Sequence, residues 1–408
     1  MIVESGVTGM LAAAMPGLLQ SVREAIEAQV AEQPTTRGSA GSRNIDAVAQ
    51  QLVGEAIAAG TIGTSKIASP KPFAAGNTAM MVGSVTASLD FVVKVDSSAK
   101  VAREARLLQR ISTDTKLPEL LRHAFPTIYA VADSAPLYGY LMEHLDGYKP
   151  LHETLKTKDS SAGRVLSRLW DDLLMPAYEA TVTARRPDIV DDYIGRVRER
   201  FAGSPHVPSP DQPLLIDASP APAIDIPYGW GPLLERAEIR VTELAPPFGT
   251  FVHGDPNPEN IMWREDGELE IRLIDPKDWW IGDPLYDIAK IGHYLRVTGP
   301  VEQGKVQASR DDNGQATIIE YDAGALDAHA KLEKDLVDAY EGFATAASGT
   351  SGKSRDPSWR ERYDFAVASN LLGIVANRAE KGESDDVQRH LAWIAFGEGM
   401  RLLEQRLR

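Results

Sequence analysis

The hydrophobic positions of the chain change period along its length, and each change marks a different kind of element. Near the start, Leu18, Leu19, Val22 and Ile26 recur at helical spacing. After a polar stretch from Pro34 to Asn44, the same spacing returns at Val48, Leu52, Val53 and Ile57. This predicts a helical extension over 1–60 whose second stretch packs on the body of the protein. From about Thr61 the period falls to two, and residues 65–73, 78–85 and 89–95 read as strands of an antiparallel meander joined by Gly- or Ser-containing turns. A helix is expected around 101–111, then further strands near 127–131 and 138–145. From about His152 the pattern turns largely helical, broken by the Pro-rich stretch 204–232, and 325–408 is mostly helical again. No internal repeat is visible. The expected class is α+β: residues 61–145 form an antiparallel sheet with one main helix, and residues 146–408 form a larger, mostly helical part.

Composition narrows the possibilities. A chain of 408 residues exceeds what one hydrophobic core usually organises, so two lobes are expected, with room for an enclosed cleft. The hydrophobic and charged fractions, 43% and 25%, are those of an ordinary soluble globular protein rather than a disordered or fibrous one. No apolar run is long enough to predict a membrane span, and Glu4 with no basic cluster before Met10 to Met15 argues against a secretory signal. A cytoplasmic location is the expectation. The absence of cysteine excludes disulfides, thiolate metal sites and cysteine nucleophiles. A net charge of -15 disfavours nucleic acid and anionic membrane as partners, since both would be repelled, and makes a cationic or neutral small substrate easier to accommodate.

The strongest chemical signal is Val252-His253-Gly254-Asp255-Pro256-Asn257-Pro258-Glu259-Asn260-Ile261-Met262, followed by Leu273-Ile274-Asp275. An apolar strand end delivers an aspartate, a short loop an asparagine, and a second apolar strand another aspartate. Phosphoryl transfer needs that set: one carboxylate to orient and deprotonate the attacking hydroxyl, and an amide oxygen with a second carboxylate to hold magnesium against a triphosphate. The competing explanation is that Asp255 and Asn260 only cap turns, a common role for both residue types. The second aspartate, Asp275, at this distance, together with Asp287 in Tyr286-Asp287-Ile288-Ala289, favours the catalytic explanation. Upstream, Phe91-Val92-Val93-Lys94-Val95 places a lysine inside an apolar strand, where an unpaired ammonium would be expensive to bury. In the next helix Val101, Ala105, Leu108 and Ile111 form an inward stripe, and Glu104 falls on that face. The two opposite charges are expected to meet; the alternative is a snorkelling Lys94 with Glu104 at the rim.

These residues together resemble the aminoglycoside phosphotransferase and choline kinase superfamily, from about Thr61 to the carboxyl terminus. The most specific part is His253 to Asn260 with Leu273 to Lys290, including Ile274-Asp275-Pro276-Lys277 and Gly282-Asp283-Pro284-Leu285-Tyr286-Asp287-Ile288-Ala289-Lys290. The resemblance implies the two-lobed protein-kinase-like fold, with an N-lobe at 61–145, a C-lobe at 146–408 and the extension 1–60. It implies ATP and Mg2+ as cofactors and a hydroxyl-bearing small molecule as substrate. Asp255 is then the base, Asn260 and Asp275 the metal ligands, Lys94 the phosphate contact and Glu104 its partner. Tyr140-Leu141-Met142-Glu143-His144-Leu145-Asp146-Gly147 is similar to the family's hinge, so backbone groups near Glu143 and Leu145 are expected to hydrogen-bond adenine. Gly76 and Asn77 stand where the family's nucleotide loop crosses the phosphates.

Departures from protein kinases matter. Asp275 is followed by Pro276 and Lys277 rather than Phe-Gly, and only twelve positions separate Asp275 from Asp287, too few for an activation loop and a peptide-docking surface. His253 and Asp287 are expected to hold the catalytic loop by hydrogen bonds. Lys277, Asp278, Trp279 and Trp280 either face substrate or pack in the core. Acidic groups such as Asp188, Asp191 and Asp192, or Glu383, Asp385 and Asp386, read as solvated faces. The leading functional expectation is a kinase for an antibiotic (aminoglycoside-like), sugar or amino-alcohol hydroxyl. A protein Ser/Thr kinase-like enzyme and a catalytically inert kinase-fold binding protein are the alternatives. The oligomeric state is not legible.

Overall fold

The computed structural model describes residues 51–52, 71–73, 81–86, 90–134, 137–157, 160–219, 221–277, 280–311, 315–322, 324, 326–346, 354–382 and 385–408. Within it the chain forms two compact units, one of Met1–Ser112 with Pro126–Asp146 and one of Thr113–Phe125 with Gly147–Arg408. The expected helical extension lies outside the described residues except for Gln51 and Leu52, which are helical. Leu52 is fully buried, and its Cδ1 would lie 3.2 Å from a Cβ placed on Gly139.

The first unit is built on strands β1 (Lys71–Phe73), β2 (Met81–Thr86), β3 (Asp90–Asp96), β4 (Ile128–Ser134) and β5 (Leu137–Glu143). They form a sheet in the order β1-β2-β3-β5-β4 with antiparallel pairing throughout. The meander expected from the period-two pattern is therefore present in β1 to β3. The helix Lys100–Thr113 buries Val101, Ala102, Ala105, Leu107, Leu108 and Ile111. Their three-and-four spacing gives an amphipathic helix one apolar face to bury. That face includes the four residues that define the stripe in sequence.

The second unit is mostly helical, with β6 (Lys149–Pro150), β7 (Leu214–Asp217), β8 (Ile224–Ile226), β9 (Ile261–Asp266), β10 (Glu268–Leu273), β11 (Val306–Arg310) and β12 (Ala316–Tyr321). A small sheet has the order β10-β9-β6, and a second has the order β11-β12-β7-β8, in which β12 and β7 run parallel. This second sheet corrects the expectation of a plain Pro-rich break at 204–232. Leu214 and Ile216, like Ile224 and Ile226, alternate inward along strands too short to stand out among prolines.

Helix Trp359–Leu372 is buried nearly all round, polar Arg362, Asp364 and Asn370 included, as expected of a helix at the centre of a bundle. It packs against Pro284–His293, whose ten residues are all buried, and against Asp386–Leu407. The close approach of the first pair depends on Gly292, where a Cβ would lie 2.2 Å from the Tyr363 hydroxyl. At the same junction the fully buried Arg362 guanidinium donates to Asp283 Oδ2 (2.6 Å), Asp356 Oδ1 (3.0 Å) and the Leu244 carbonyl (3.0 Å). Asp283 in turn caps Pro284–His293 by accepting from the Leu285 amide, and it accepts from the Tyr193 hydroxyl at 2.7 Å. Among the described residues no helix is long and apolar enough to cross a membrane.

Candidate active site

In the first unit Lys94 lies on β3 between Val82 and Tyr140 of the neighbouring strands, and it is only 6% exposed. Its Nζ stands 2.9 Å from both carboxylate oxygens of Glu104, and the Tyr140 hydroxyl donates to Glu104 Oε1 at 2.5 Å. The expected meeting of strand lysine and helix glutamate is therefore present, rather than the snorkelling alternative. A nearly dry ammonium needs this carboxylate, because removing one partner of a buried pair leaves an uncompensated charge. Glu143 ends β5, and its amide donates to the Thr127 carbonyl at 2.9 Å. Leu145 follows outside any regular element, just before a turn at Asp146 and Gly147. Gly76 and Asn77 lie outside the described residues.

In the second unit the segment carrying Asp255 is not a regular strand, which corrects one expectation. It is an irregular loop that leaves a bridge between Thr250 and Gly282. Asp287 anchors it from below: its carboxylate accepts from the amides of His253 (2.8 Å) and Gly254 (2.7 Å) and from the Tyr178 hydroxyl (3.0 Å). Gly254 has φ 79°, a conformation a side chain would strain, and this lets both amides point at one carboxylate. Burial pushes the Asp287 carboxyl up, to about 7, against these three donors. His253 is fully buried, stacks on Phe125 at 5.7 Å and accepts from the Asp255 amide through Nδ1 (3.2 Å). Burial lowers its imidazole to about 4, so it is neutral at pH 7 and serves as a spacer.

The loop then folds back on itself. Asn260 Nδ2 donates to the Asp255 carbonyl at 2.9 Å, which turns the amide oxygen the other way. The Asn260 carbonyl accepts from the Ile274 amide (3.1 Å), and the His253 carbonyl accepts from the Lys277 amide (2.8 Å). Those bonds hold Asp275 beside Asp255 and Asn260. Asp275 has φ 56°, the only left-handed non-glycine conformation among the described residues. Such a backbone costs about 1–3 kcal/mol and persists only where its surroundings fix it, often at functional sites.

Asp255 itself lies between two lysines. Lys277 Nζ is 3.0 Å from Oδ2 and Lys290 Nζ is 3.1 Å from Oδ1. Burial opposes ionisation of Asp255, but Lys290 and Lys277 outweigh it and hold the carboxyl well below its usual range. Lys290 is nearly buried, and desolvation brings it down to about 8 despite the neighbouring carboxylate. The expected Asp255, Asn260 and Asp275 are thus brought together in the second unit, and Lys94 with Glu104 in the first. Trp280 packs edge-on against Phe251 at 5.6 Å, a core contact; Asp278 and Trp279 lie outside the described residues.

Sequence reasoning missed the lysine partners of Asp255. Lys290 carried the same signal as Lys94, a lone cation in an apolar run, three positions after Asp287. Arg196 Nη1 donates to the Tyr286 hydroxyl across ninety positions, and no local pattern foretells that contact.

An oxygen-donating amide and a carboxylate suit magnesium, which is held by one or two carboxylates with substrate phosphates and water completing the shell. Among the described residues no cluster of three or more metal-ligating side chains exists, so any ion would depend on such outside oxygens.

An antiparallel sheet with one main helix, a mostly helical second unit and this loop system define the α+β kinase-like class. Among solved structures, a thermostable mutant of the aminoglycoside phosphotransferase APH(4)-Ia superposes with a TM-score of 0.51 at 13% identity, covering 83% of this chain and 95% of that one. A putative fructosamine-3-kinase from Haemophilus somnus (TM-score 0.46, 12% identity, covering 88% and 97%) and an ethanolamine kinase from Plasmodium vivax (TM-score 0.46, 12% identity, covering 83% and 80%) also match. At 13% identity the first of these likenesses speaks to fold alone. No curated protein sequence matches the chain. The profile of the Phosphotransferase enzyme family matches residues 70–317, and the chain belongs to that family.

Proposed function

We propose that the protein is an ATP- and magnesium-dependent kinase that phosphorylates a hydroxyl of a small molecule from the antibiotic, sugar or amino-alcohol classes. The observation that carries this reading is the hydrogen-bonded loop system that gathers Asp255, Asn260 and the strained Asp275. Asp255 accepts or orients the acceptor's hydroxyl proton. Asn260 Oδ1 and the Asp275 carboxylate hold magnesium, which when bound neutralises charge on the triphosphate. Lys94, kept in place by Glu104, positions the phosphates, and the backbone near Glu143 and Leu145 takes the adenine. The Glu143 amide is already bonded to the Thr127 carbonyl, so the Leu145 amide is the donor this reading assigns to the base. Gly76 and Asn77 cover the phosphates. The acceptor oxygen bonds to the γ-phosphorus as the bond to the ADP oxygen breaks, in line and without a phosphoenzyme.

The test is a thermal melt with nucleotide and magnesium, alone and together. A ligand that binds only the native state raises the melting temperature by mass action. Asp275→Asn should weaken the magnesium-dependent part of the shift, and Lys94→Ala should lower turnover more than nucleotide binding. A melt unmoved by saturating ATP and magnesium would refute the reading.

A further inference from the structure

Helix Arg196–Phe201 carries Arg196, Arg198 and Arg200. Arg198 pairs with Glu238. Arg196 and Arg200, one turn apart and so on a common face, have no carboxylate within ion-pair distance among the described residues. Arg196 spends one N–H on the Tyr286 hydroxyl, and Arg200 spends one on the Gly373 carbonyl. A guanidinium has five N–H donors in a planar fork, so most of this capacity is unused. Elsewhere in the same unit Arg296 pairs with Glu333 and Asp364, Arg240 with Glu361 and Glu243, and Arg362 with Asp283 and Asp356, whereas the half-buried Arg378 has only Gln388; Arg196 and Arg200 differ from Arg378 in lying side by side, with Arg200 exposed.

The two arginines stand beside the Asp255 loop. Tyr286, which Arg196 touches, is one helical turn before Lys290, which touches Asp255. Arg196, Arg200, Lys277 and Lys290 set four cations against the carboxylates of Asp255 and Asp275, while burial pushes the Asp287 carboxyl up to about 7. Lys290 is lowered by desolvation first, with Arg196 and Lys277 adding, and Arg200 by desolvation and then Arg196, as crowded like charges require. The nearby acids do not cancel this. Asp188 and Asp191 are exposed, and burial with those two neighbours pushes the Asp192 carboxyl up to about 7. A chain of net charge -15 therefore places a locally positive surface at its candidate base.

We propose that Arg196 and Arg200 bind an anionic group, a carboxylate or a phosphate, carried by the acceptor whose hydroxyl is presented to Asp255. The proposal rests on the kinase reading and narrows it: the acceptor is a hydroxy acid or a hydroxyl-bearing phosphate ester, and polycationic aminoglycosides are excluded. It reverses the preference for a cationic or neutral substrate drawn from net charge, because recognition depends on the local field and on fork-shaped donors.

The test titrates the full chain with inorganic phosphate, with and without a saturating non-hydrolysable ATP analogue and magnesium. Phosphate is expected to bind with the nucleotide site filled, at one site per chain. Arg196→Gln and Arg200→Gln should each weaken that binding at least about tenfold, while Arg198→Gln leaves it unchanged and all three change nucleotide affinity less than about twofold. A second arm compares ADP formation with a hexose, its amino sugar, its uronic acid and its phosphate; any turnover is expected to favour the two anions, and the double variant to lose that preference. Phosphate binding indifferent to both substitutions overturns the proposal. Phosphate displaced by the analogue also overturns it, and assigns the arginines to the transferred phosphoryl group. If the wild type binds no nucleotide but loses phosphate affinity in the variants, the kinase reading fails and the anion site stands.

Discussion

Replacing Arg362 with methionine isolates the charge network beneath the site. The side chain is fully buried, and methionine keeps much of its length while removing the fork. Three acceptors lose their donor: the Asp283 carboxylate, the Asp356 carboxylate and the Leu244 carbonyl. Removing one member of a buried ion pair costs about 3–5 kcal/mol. Two carboxylates are stranded here, which pushes the cost up, but Tyr193 still donates to Asp283 and Tyr340 to Asp356. Burial has already raised the Asp356 carboxyl, so protonating it limits the penalty. The expected loss is about 4 kcal/mol near pH 7, a large share of the 5–15 kcal/mol that holds a typical domain together. Urea unfolding measures it. The deficit should shrink as the pH falls and the raised Asp356 carboxyl takes a proton, and Asp356→Asn added to Arg362→Met should restore about half of it. Because Asp283 caps the helix bearing Asp287 and Lys290, turnover should fall even in the folded fraction. A loss below about 1 kcal/mol, or a double variant less stable than the single one, would show that the buried charges do not depend on Arg362.

Two further outcomes follow from the site. Asp255→Asn should lower turnover by about a hundredfold or more, the usual scale for a positioned general base, while nucleotide affinity is kept. Lys290 would then lack its buried counter-charge, so the melting temperature should fall; near-normal turnover, or an unchanged melt, would count against the assignment. The two buried histidines should also cost stability in mild acid. His253 and His293 are depressed by burial to about 4 and about 3 from 6.5. Below pH 6.5 the unfolded chain therefore binds protons the native one refuses, and each histidine removes up to about 1.4 kcal/mol per pH unit. The Asp287 and Asp192 carboxyls, raised to about 7, act in the opposite direction, so the readout is a difference: urea midpoints at pH 6.5, 5.5 and 4.5 should fall relative to those of His293→Gln, and a difference that does not change with pH would refute the buried neutral His293.

What was legible in the sequence was what local chemistry dictates. The period-two run through Phe91 to Val95 and the stripe from Val101 to Ile111 led to β3 and the helix behind it, and two charges on inward faces led to the Lys94–Glu104 pair. The linear motif from His253 to Asn260 carried the loop because its parts are joined by short-range bonds, such as Asn260 to the Asp255 carbonyl. Contacts closed over long loops left no such trace. Arg196 meets Tyr286 and Arg362 meets Asp283 only after the helices are in place, and nothing near either arginine in sequence distinguishes it from Arg198. The strands β7 and β12 pair in parallel across a long excursion, so neither hairpin turn nor loop length announces them. Net charge is blind for a related reason: a whole-chain sum says nothing about where the cations collect.

The two lysines on Asp255 bear on how such an enzyme would avoid wasting its nucleotide. Water is always present at a γ-phosphate, and a strongly basic carboxylate beside it would promote hydrolysis with no acceptor bound. Asp255, held ionised by Lys277 and Lys290, is a weak base and gains little by taking a proton early. In the loose transition state of phosphoryl transfer the proton can leave late, so the carboxylate contributes mainly aim. A hydroxyl tethered by the rest of its molecule can be aimed, whereas a lone water tumbles. Discrimination against hydrolysis then comes from poor basicity and good orientation rather than from a sealed cavity, and idle turnover should remain low even in a site open to solvent.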